Sequence, residues 1–448
     1  MSTRAKLSVM MFLEFFIWGA WYPLVFGYLP GLGFNDTWQQ PLVLGCFNLA
    51  ALAALFFSTQ FADRNFAAEK FLAFSQLVGG AAMLGLFFIK KPEGAGSAAF
   101  WPFLGLMLVH CLFYVPTISI TNSIAFAHLG DPQKEFGPVR LWGTIGWIAA
   151  AWPMSFVLID WAAVGAADTS GFVSYLRTAL DTPLKGHAML EATSYIFVVA
   201  GTASLLLAAF SLALPHTPPK QVTWEDAQKG RDSLAWLEAM KLLRYPFILV
   251  LFIVTFFDSA IHQCFFFWAG RYLELGVHIN RAWVMPIMSI GQVAEIVTLA
   301  FLASVLKALG WRMTMIIGIL GHAVRFAVFA FFPAPAPAIA VNVLHGICYA
   351  FFFATVYIFI DEYFPKDARS SAQGLFNVLI LGVGPFVGNF VCSKLGNVYS
   401  AGPEQYDFRS IFLYPAGAAL FAAVLLLLFF HPPAKTEPKL EGALAPAH

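Results

Sequence analysis

Long, unbroken apolar runs follow one another along the whole chain, and no other feature narrows the fold as much. A helix crossing the hydrocarbon of a bilayer needs about 20 predominantly apolar residues. Runs of that length fall at 7–29, 41–62, 71–90, 100–127, 139–161 and 191–214, then at 246–272, 282–306, 312–332, 337–362, 370–396 and 408–430. In lipid the backbone must satisfy its own hydrogen bonds, which leaves helices or a closed barrel. Barrel strands alternate apolar and polar residues, and these runs do not. The sequence therefore predicts an all-α integral membrane protein of twelve transmembrane helices. Charged residues agree: they make up 11% of the 448 residues, against roughly a quarter in soluble domains. The first run follows Arg4 and Lys6 and continues past Tyr28 without a small-residue cleavage site, so it reads as a span and not as a signal peptide.

One long polar stretch, 215–245, divides the spans six and six. The expected organisation is a six-helix bundle over 1–214, a linker over 215–245, a second bundle over 246–430 and a tail over 431–448. Lys/Arg bias sets orientation. Counting residues near span ends with the adjoining loops, the two termini, the linker and the loops on their side hold 16 Lys/Arg, the opposite side holds 8, and Arg140 and Arg325 lie deeper within spans. Both termini and the linker are thus expected in the cytoplasm. The six-linker-six plan resembles the major facilitator superfamily, whose halves are related by an axis along the membrane normal. Asp63-Arg64 after span two resembles that superfamily's Asp-Arg motif, although any solvated turn would carry such charges.

Several function classes are excluded. A net charge of +1 without a basic run gives nothing to neutralise phosphates, so no nucleic-acid partner is expected. Cys46, Cys111, Cys264, Cys348 and Cys392 stand singly in apolar stretches, which indicates neither a disulfide framework nor a zinc site. No metal or other cofactor is implied. An integral membrane enzyme would need a catalytic cluster such as a zinc-binding H-E-x-x-H helix, and the sequence has none.

Ionisable groups inside a membrane are costly and normally face a cavity or a partner. The spans carry Glu14, Arg140, Asp258, Glu295 and Arg325. Arg325 reads first as a structural pin, and His110, His128 and His322 as packing groups. Arg140, Thr144 and Trp147 are more informative, because i, i+4, i+7 spacing puts them on one helix face. A guanidinium, a hydroxyl and a flat aromatic on one stripe suit a hydroxylated ring joined to a base. Gly143 and Gly146 beside them would let another helix approach closely. Gln292 and Glu295 share a face of span eight, and an amide offers the donor and acceptor that a nucleobase edge requires. Asp258 and His262 are i, i+4 neighbours with Gln263 adjacent, and His345 and Tyr349 form another such pair before Phe351-Phe352-Phe353.

Arg140-Leu-Trp-Gly-Thr-Ile-Gly-Trp147, Met288-Ser-Ile-Gly-Gln-Val-Ala-Glu295 and Arg369-Ser-Ser-Ala-Gln-Gly-Leu-Phe376 resemble the nucleoside:proton symporter family of bacterial permeases. Leu214-Pro-His216 and Val324-Arg-Phe-Ala-Val-Phe329 add to the likeness, which runs from about residue 8 to 430. The resemblance implies nucleoside uptake across the bacterial inner membrane by alternating access, with protons as co-substrate; the chain is expected to work as a monomer in the lipid bilayer. It implies a nucleoside site of Arg140, Thr144 and Trp147, with Gln263, Phe266, Gln292, Glu295, His345 and Tyr349. Phe266 stands where a site asparagine is known in the family, and Ala350 where the family pattern has an aspartate. These departures keep open a carrier of the same fold for another polar solute, such as a sugar or a nucleoside conjugate, working in import or efflux. With alanine at 350, the candidate proton-coupling acids are Glu295, Asp258 and Glu14.

Overall fold

The computed structural model describes residues 1–54, 66–90, 98–130, 132–167, 171–219, 240–364, 369–402 and 404–432, without the side chains of 132–134 and 369–371. The Asp63-Arg64 motif, most of the 215–245 linker and the tail beyond 432 lie outside the described residues. The predicted spans are helices: α1 Thr3–Gly31, α2 Gln39–Ala53, α3 Ala68–Phe87, α4 Phe100–His128, α5 Pro132–Val157 and α6 Gly186–Ser211. In the second half they are α7 Pro246–Gly276, α8 Arg281–Phe331, α9 Pro335–Tyr363, α10 Ala372–Val398 and α11 Phe408–Phe429.

Nine of the described helices are long and apolar enough to cross a membrane. One of the nine, α8, is 51 residues long, and its backbone breaks at Gly310 (φ 71°, ψ 174°). Glycine adopts a positive φ without steric cost, so the break falls inside the 307–311 turn expected between spans eight and nine. With α8 divided there, and α2 and α5 beside the nine, the helices are consistent with the twelve expected spans.

Several boundaries differ from the hydropathy ruler, because polar residues can extend a helix beyond the lipid. α1 begins at Thr3, where the Ser2 hydroxyl caps it by accepting from the Ala5 N–H at 3.3 Å. α5 begins at Pro132 and α6 at Gly186, both earlier than their apolar runs. Two short helices, Trp161–Ala166 and Phe172–Asp181, occupy what hydropathy leaves as a loop, and Asp160 caps the first of them through the Ala163 N–H. A small hairpin pairs Ser400–Gly402 with Gln405–Tyr406. The described helices also carry π-helical turns at Tyr272–Gly276, Tyr349–Ala354 and Val378–Val383. Such turns often mark functional positions.

By compactness the chain falls into two units. The first comprises Met1–Gln221, Phe266–Gln292 and Asn389–Tyr406. Within it α1 packs on α5 and α6, α3 on α4 and α6, and α2 on α4. The close α1–α5 approach has a plain cause: a Cβ at Gly19 would lie 2.8 Å from the main-chain oxygen of Trp147, and one at Gly146 would collide with the main chain of Phe12. Gly146 thus does what its sequence context suggested, and the approaching helix is α1. At one end of this unit four chain segments are tied together. Lys6 Nζ donates to Ala213 O, the Thr217 N–H donates to Glu69 Oε2 at 2.9 Å, and His216 Nδ1 and His128 Nε2 reach Glu69 Oε1 and Thr217 Oγ1. The N-terminus, the start of α3, the end of α4 and the end of α6 therefore share one face.

The second unit comprises Val222–Phe265, Val293–Gly388 and Asp407–His448. Within it Gly346 of α9 lies against the backbone of Ala294 and Glu295 of α8. Beyond the Gly310 break, Gly318 of α8 lies against that of Phe351 and Phe352 of α9. Gly384 and Gly388 bring α10 onto Ser259 and Ala260 of α7 in the same way.

Candidate nucleoside and proton sites

In the first unit the α5 stripe faces α1. The Arg140 guanidinium lies over the Phe15 ring, 3.8 Å from its centroid, a cation–π contact that holds the charge in an apolar setting. Room for both comes from Gly143, where a Cβ would meet Arg140 Nη1 at 2.6 Å and the Phe15 ring at 2.7 Å. Thr144 and Trp147 follow on the same face, both half-buried. Trp147 meets Trp18 edge-on at 5.1 Å, and Trp18 stacks on Phe47 at 4.6 Å with planes 17° apart. Phe266 sits edge-on to Tyr22 at 5.6 Å, and Tyr22 lies 6.5 Å from Trp147. Arg140, Trp147 and Phe266 are thus joined to one aromatic wall built on Phe15, Trp18 and Tyr22. Gln292 is buried in this unit as well.

Glu14, one residue before Phe15, lies behind that wall. Gln76 Nε2 donates to its Oε2 at 2.9 Å and Thr117 Oγ1 donates to its Oε1 at 2.7 Å. The second Gln76 hydrogen goes to Thr117 Oγ1 at 2.9 Å, Ser204 Oγ donates to Gln76 Oε1 at 2.6 Å, and Tyr114 donates to the Glu14 main-chain oxygen. One carboxylate therefore ties α1 to α3, α4 and, through Gln76, α6.

The second unit holds the other predicted residues. Glu295 is half-buried on α8 at the Gly346 contact, which brings it beside the α9 segment carrying His345 and Tyr349. Tyr349 opens the π turn that also contains the fully buried Ala350. Gln263 is buried on α7. His345 is drawn elsewhere: its Nδ1 lies 3.1 Å from Arg325 Nη1, and its ring stands 4.9 Å from both His262 and Phe265. Arg325, completely buried, lies over Phe265 at 3.9 Å and also reaches His322 Nδ1 at 2.8 Å. His322 Nε2 lies 3.6 Å from Asp258 Oδ1. His322 is accordingly more than a packing group. Its i, i+3 spacing from Arg325 was the sequence signal that one helix face carried both.

Arg271, near the end of the 246–272 run, was not among the predicted site residues. It is buried and donates to Phe26 O through Nε and Nη2, at 3.2 and 2.6 Å, and to Gln40 Oε1 at 2.6 Å. Its guanidinium borders a cavity of about 520 Å³ in the first unit, lined also by Asn35, Trp268, Asn397 and Tyr406. Amides, a guanidinium and aromatic rings around one space suit a hydroxylated ring system.

The family model for "Nucleoside H+ symporter" matches residues 1–182 and 160–435. The chain belongs to that family. It is 30% identical to YegT of Escherichia coli (strain K12), over 96% of this chain and 94% of the relative. To the xanthosine permease of the same organism it is 26% identical, over 98% and 99%. In fold it is similar to the crystal structure of the nucleoside transporter NupG, with a TM-score of 0.76 at 22% identity, covering 97% of this chain and all of that one. The fold is that of major facilitator transporters, and family membership makes the chain a multi-pass membrane transporter and not an enzyme.

Proposed function

We propose that this family member takes up nucleosides across a bacterial inner membrane by proton symport and alternating access, working as a monomer with both termini in the cytoplasm. The observation that carries the reading is the α5 stripe. A half-buried guanidinium over Phe15, a hydroxyl one turn on and an indole another turn on form a donor–donor–stacking sequence matched to a ribose and its base. Hydrogen bonds from Arg140 gain strength in a low-dielectric setting. Gln263, Phe266, Gln292, Glu295, His345 and Tyr349 complete the proposed contacts, with Phe266 an apolar surface and the two glutamines reading base edges. Glu295, Asp258 and Glu14 are the acids from which a coupling group is drawn.

Two six-helix halves, 1–214 and 246–430, joined by 215–245, are part of the same proposal. The cytoplasmic placement is supported by the Lys/Arg bias, and by the shared face that joins Lys6, Glu69, His128 and His216. The test is radiolabelled uridine uptake into vesicles with and without an inward proton gradient, alongside a competition panel of nucleosides, free bases and sugars. Accumulation against the uridine gradient that nucleosides alone compete away is the expected result. Competition by sugars in preference to nucleosides would move the cargo to another polar solute.

A further inference from the structure

Arginine resolves the protonation pattern of the second unit's core. A guanidinium has only donors, so the His345 and His322 Nδ1 atoms it contacts, at 3.1 and 2.8 Å, must both be acceptors. Each of these histidines is therefore neutral, with its hydrogen on Nε2. The Nε2–H of His322 then lies toward Asp258, at 3.6 Å from Oδ1, too long for a hydrogen bond. Both Asp258 carboxylate oxygens are buried, and neither has a hydrogen-bond partner among the described residues. Buried polar groups are nearly always hydrogen-bonded, and an exception calls for an explanation. A carboxylate kept only to pin helices would be expected to hold direct hydrogen bonds.

We propose that Asp258 is a proton-binding acid of the transport cycle, and that His322 passes its charge state to Arg325. This rests on the reading of the chain as a proton-driven carrier and deepens it. Among the described residues the titratable and charged groups of this cluster are His262 one turn on from Asp258, His322 and Arg325 on α8, and His345 and Cys348 on α9. With Asp258 ionised, the one negative and one positive charge balance across neutral His322. Proton uptake forms an O–H bond on Asp258 at the expense of a water-borne proton, and no other bond breaks. It removes the counter-charge of Arg325, which is wholly buried. An uncompensated buried charge is strongly unfavourable, so the α7–α8 contact at Asp258 and His322 must rearrange. Neither His322 nor His345 substitutes as the proton acceptor here, because the Nδ1 of each already faces Arg325.

The test uses the full chain in proteoliposomes: the parent, Asp258→Asn and His322→Gln. Two transport modes are read, accumulation of labelled uridine under an inward proton gradient and exchange of internal for external uridine. Infrared difference spectra between acidic and alkaline buffer report the carboxyl stretch directly. Asp258→Asn is expected to keep exchange, to lose gradient-driven accumulation, and to lose one titrating carboxyl band. His322→Gln, whose amide still offers an acceptor and a donor, is expected to keep part of the accumulation and to shift that band. Accumulation by Asp258→Asn equal to the parent, or an unchanged set of carboxyl bands, overturns the proposal. Loss of exchange together with a lowered melting temperature makes Asp258 a structural pin and overturns it too. If the parent itself moves no nucleoside, the functional reading fails instead, and the infrared band alone decides whether Asp258 binds a proton.

Discussion

Two buried carboxylates, one in each unit, are held in opposite ways. Glu14 has a donor on each oxygen, from Gln76 and Thr117, inside a network that reaches four helices. Asp258 has none among the described residues, and the His322 ring nitrogen stands 3.6 Å away. Burial is equal, since both are wholly enclosed, so the difference lies in satisfaction. A fully satisfied polar network makes one arrangement of helices unique and resists change. An unsatisfied one leaves an alternative state within reach. On our proposal the contrast puts Glu14 in the architecture and Asp258 in the moving part of the cycle.

The largest expected effect comes from Arg325. Removing one partner of a buried charge pair costs about 3–5 kcal/mol, so Arg325→Ala should sharply lower the melting temperature and abolish uptake. A melting temperature like the parent's would mean that the cluster is solvated, and the contrast with Glu14 would lapse. Next comes Glu14→Ala, which strands the Gln76 amide and the Thr117 hydroxyl. Each hydrogen bond to a charged group contributes roughly 1.5–3 kcal/mol, and Glu14→Gln should recover most of that loss because an amide can serve both neighbours. The check is thermal unfolding in detergent. A glutamine variant as unstable as alanine would show that the charge itself, and not the hydrogen bonding, holds the four helices.

Affinity effects follow in size. Arg140→Ala should weaken uridine binding about ten- to a hundredfold, the equivalent of a lost charged hydrogen bond, with little change in stability, because its Phe15 contact is a cation–π pair. Titration calorimetry separates the two. Trp147→Phe should be mild and Trp147→Ala severe; equal damage from both would argue for packing against Trp18 over stacking on a base. Near-normal binding by folded Arg140→Ala would remove the α5 stripe from the site.

Much of this was legible in the sequence. Twelve apolar runs of the right length are a direct record of hydrocarbon thickness, and the helices follow them wherever residues are described. Gly143 and Gly146 announced a close helix approach, which α1 makes. What was not legible depends on long-range packing. Helix periodicity places Gln76 and Thr117 on faces, but nothing local says that Glu14, from another helix, arrives between them. The hydrogen-bond direction that fixes His322 exists only once Arg325 and Asp258 are brought to opposite sides of its ring. The π turn at Tyr349–Ala354 left no mark on hydropathy either, because an extra residue in a turn does not alter composition. Phe172–Asp181 was missed for a related reason: it lies between spans, where a hydropathy ruler reports only the absence of one.

The smallest expected effect supplies an exposed counterpart to both buried acids. Asp407 caps α11, accepting from the Ser410 N–H at 3.2 Å and the Ser410 hydroxyl at 2.6 Å. Those Ser410 hydrogen bonds hold its carboxyl below the usual carboxylate range. A depressed folded value means that the contribution is present above the ordinary aspartate range and fades as pH falls through the depressed value. Solvent screening keeps it small. Asp407→Ala should cost about 0.5–2 kcal/mol as a lost cap and leave proton coupling intact, as measured by unfolding and uptake together. A coupling defect there would show that any lost carboxylate impairs transport, which would dissolve the distinction between Glu14 and Asp258.

The measurement closest to the central claim is proton movement caused by the nucleoside. Lightly buffered proteoliposomes, given uridine with no imposed gradient, should show the external medium turning alkaline as protons enter with the ligand. That signal should appear for the parent and for Glu14→Gln, and vanish for Asp258→Asn while uridine exchange continues. Alkalinisation that survives in Asp258→Asn and disappears in Glu14→Gln would contradict the account.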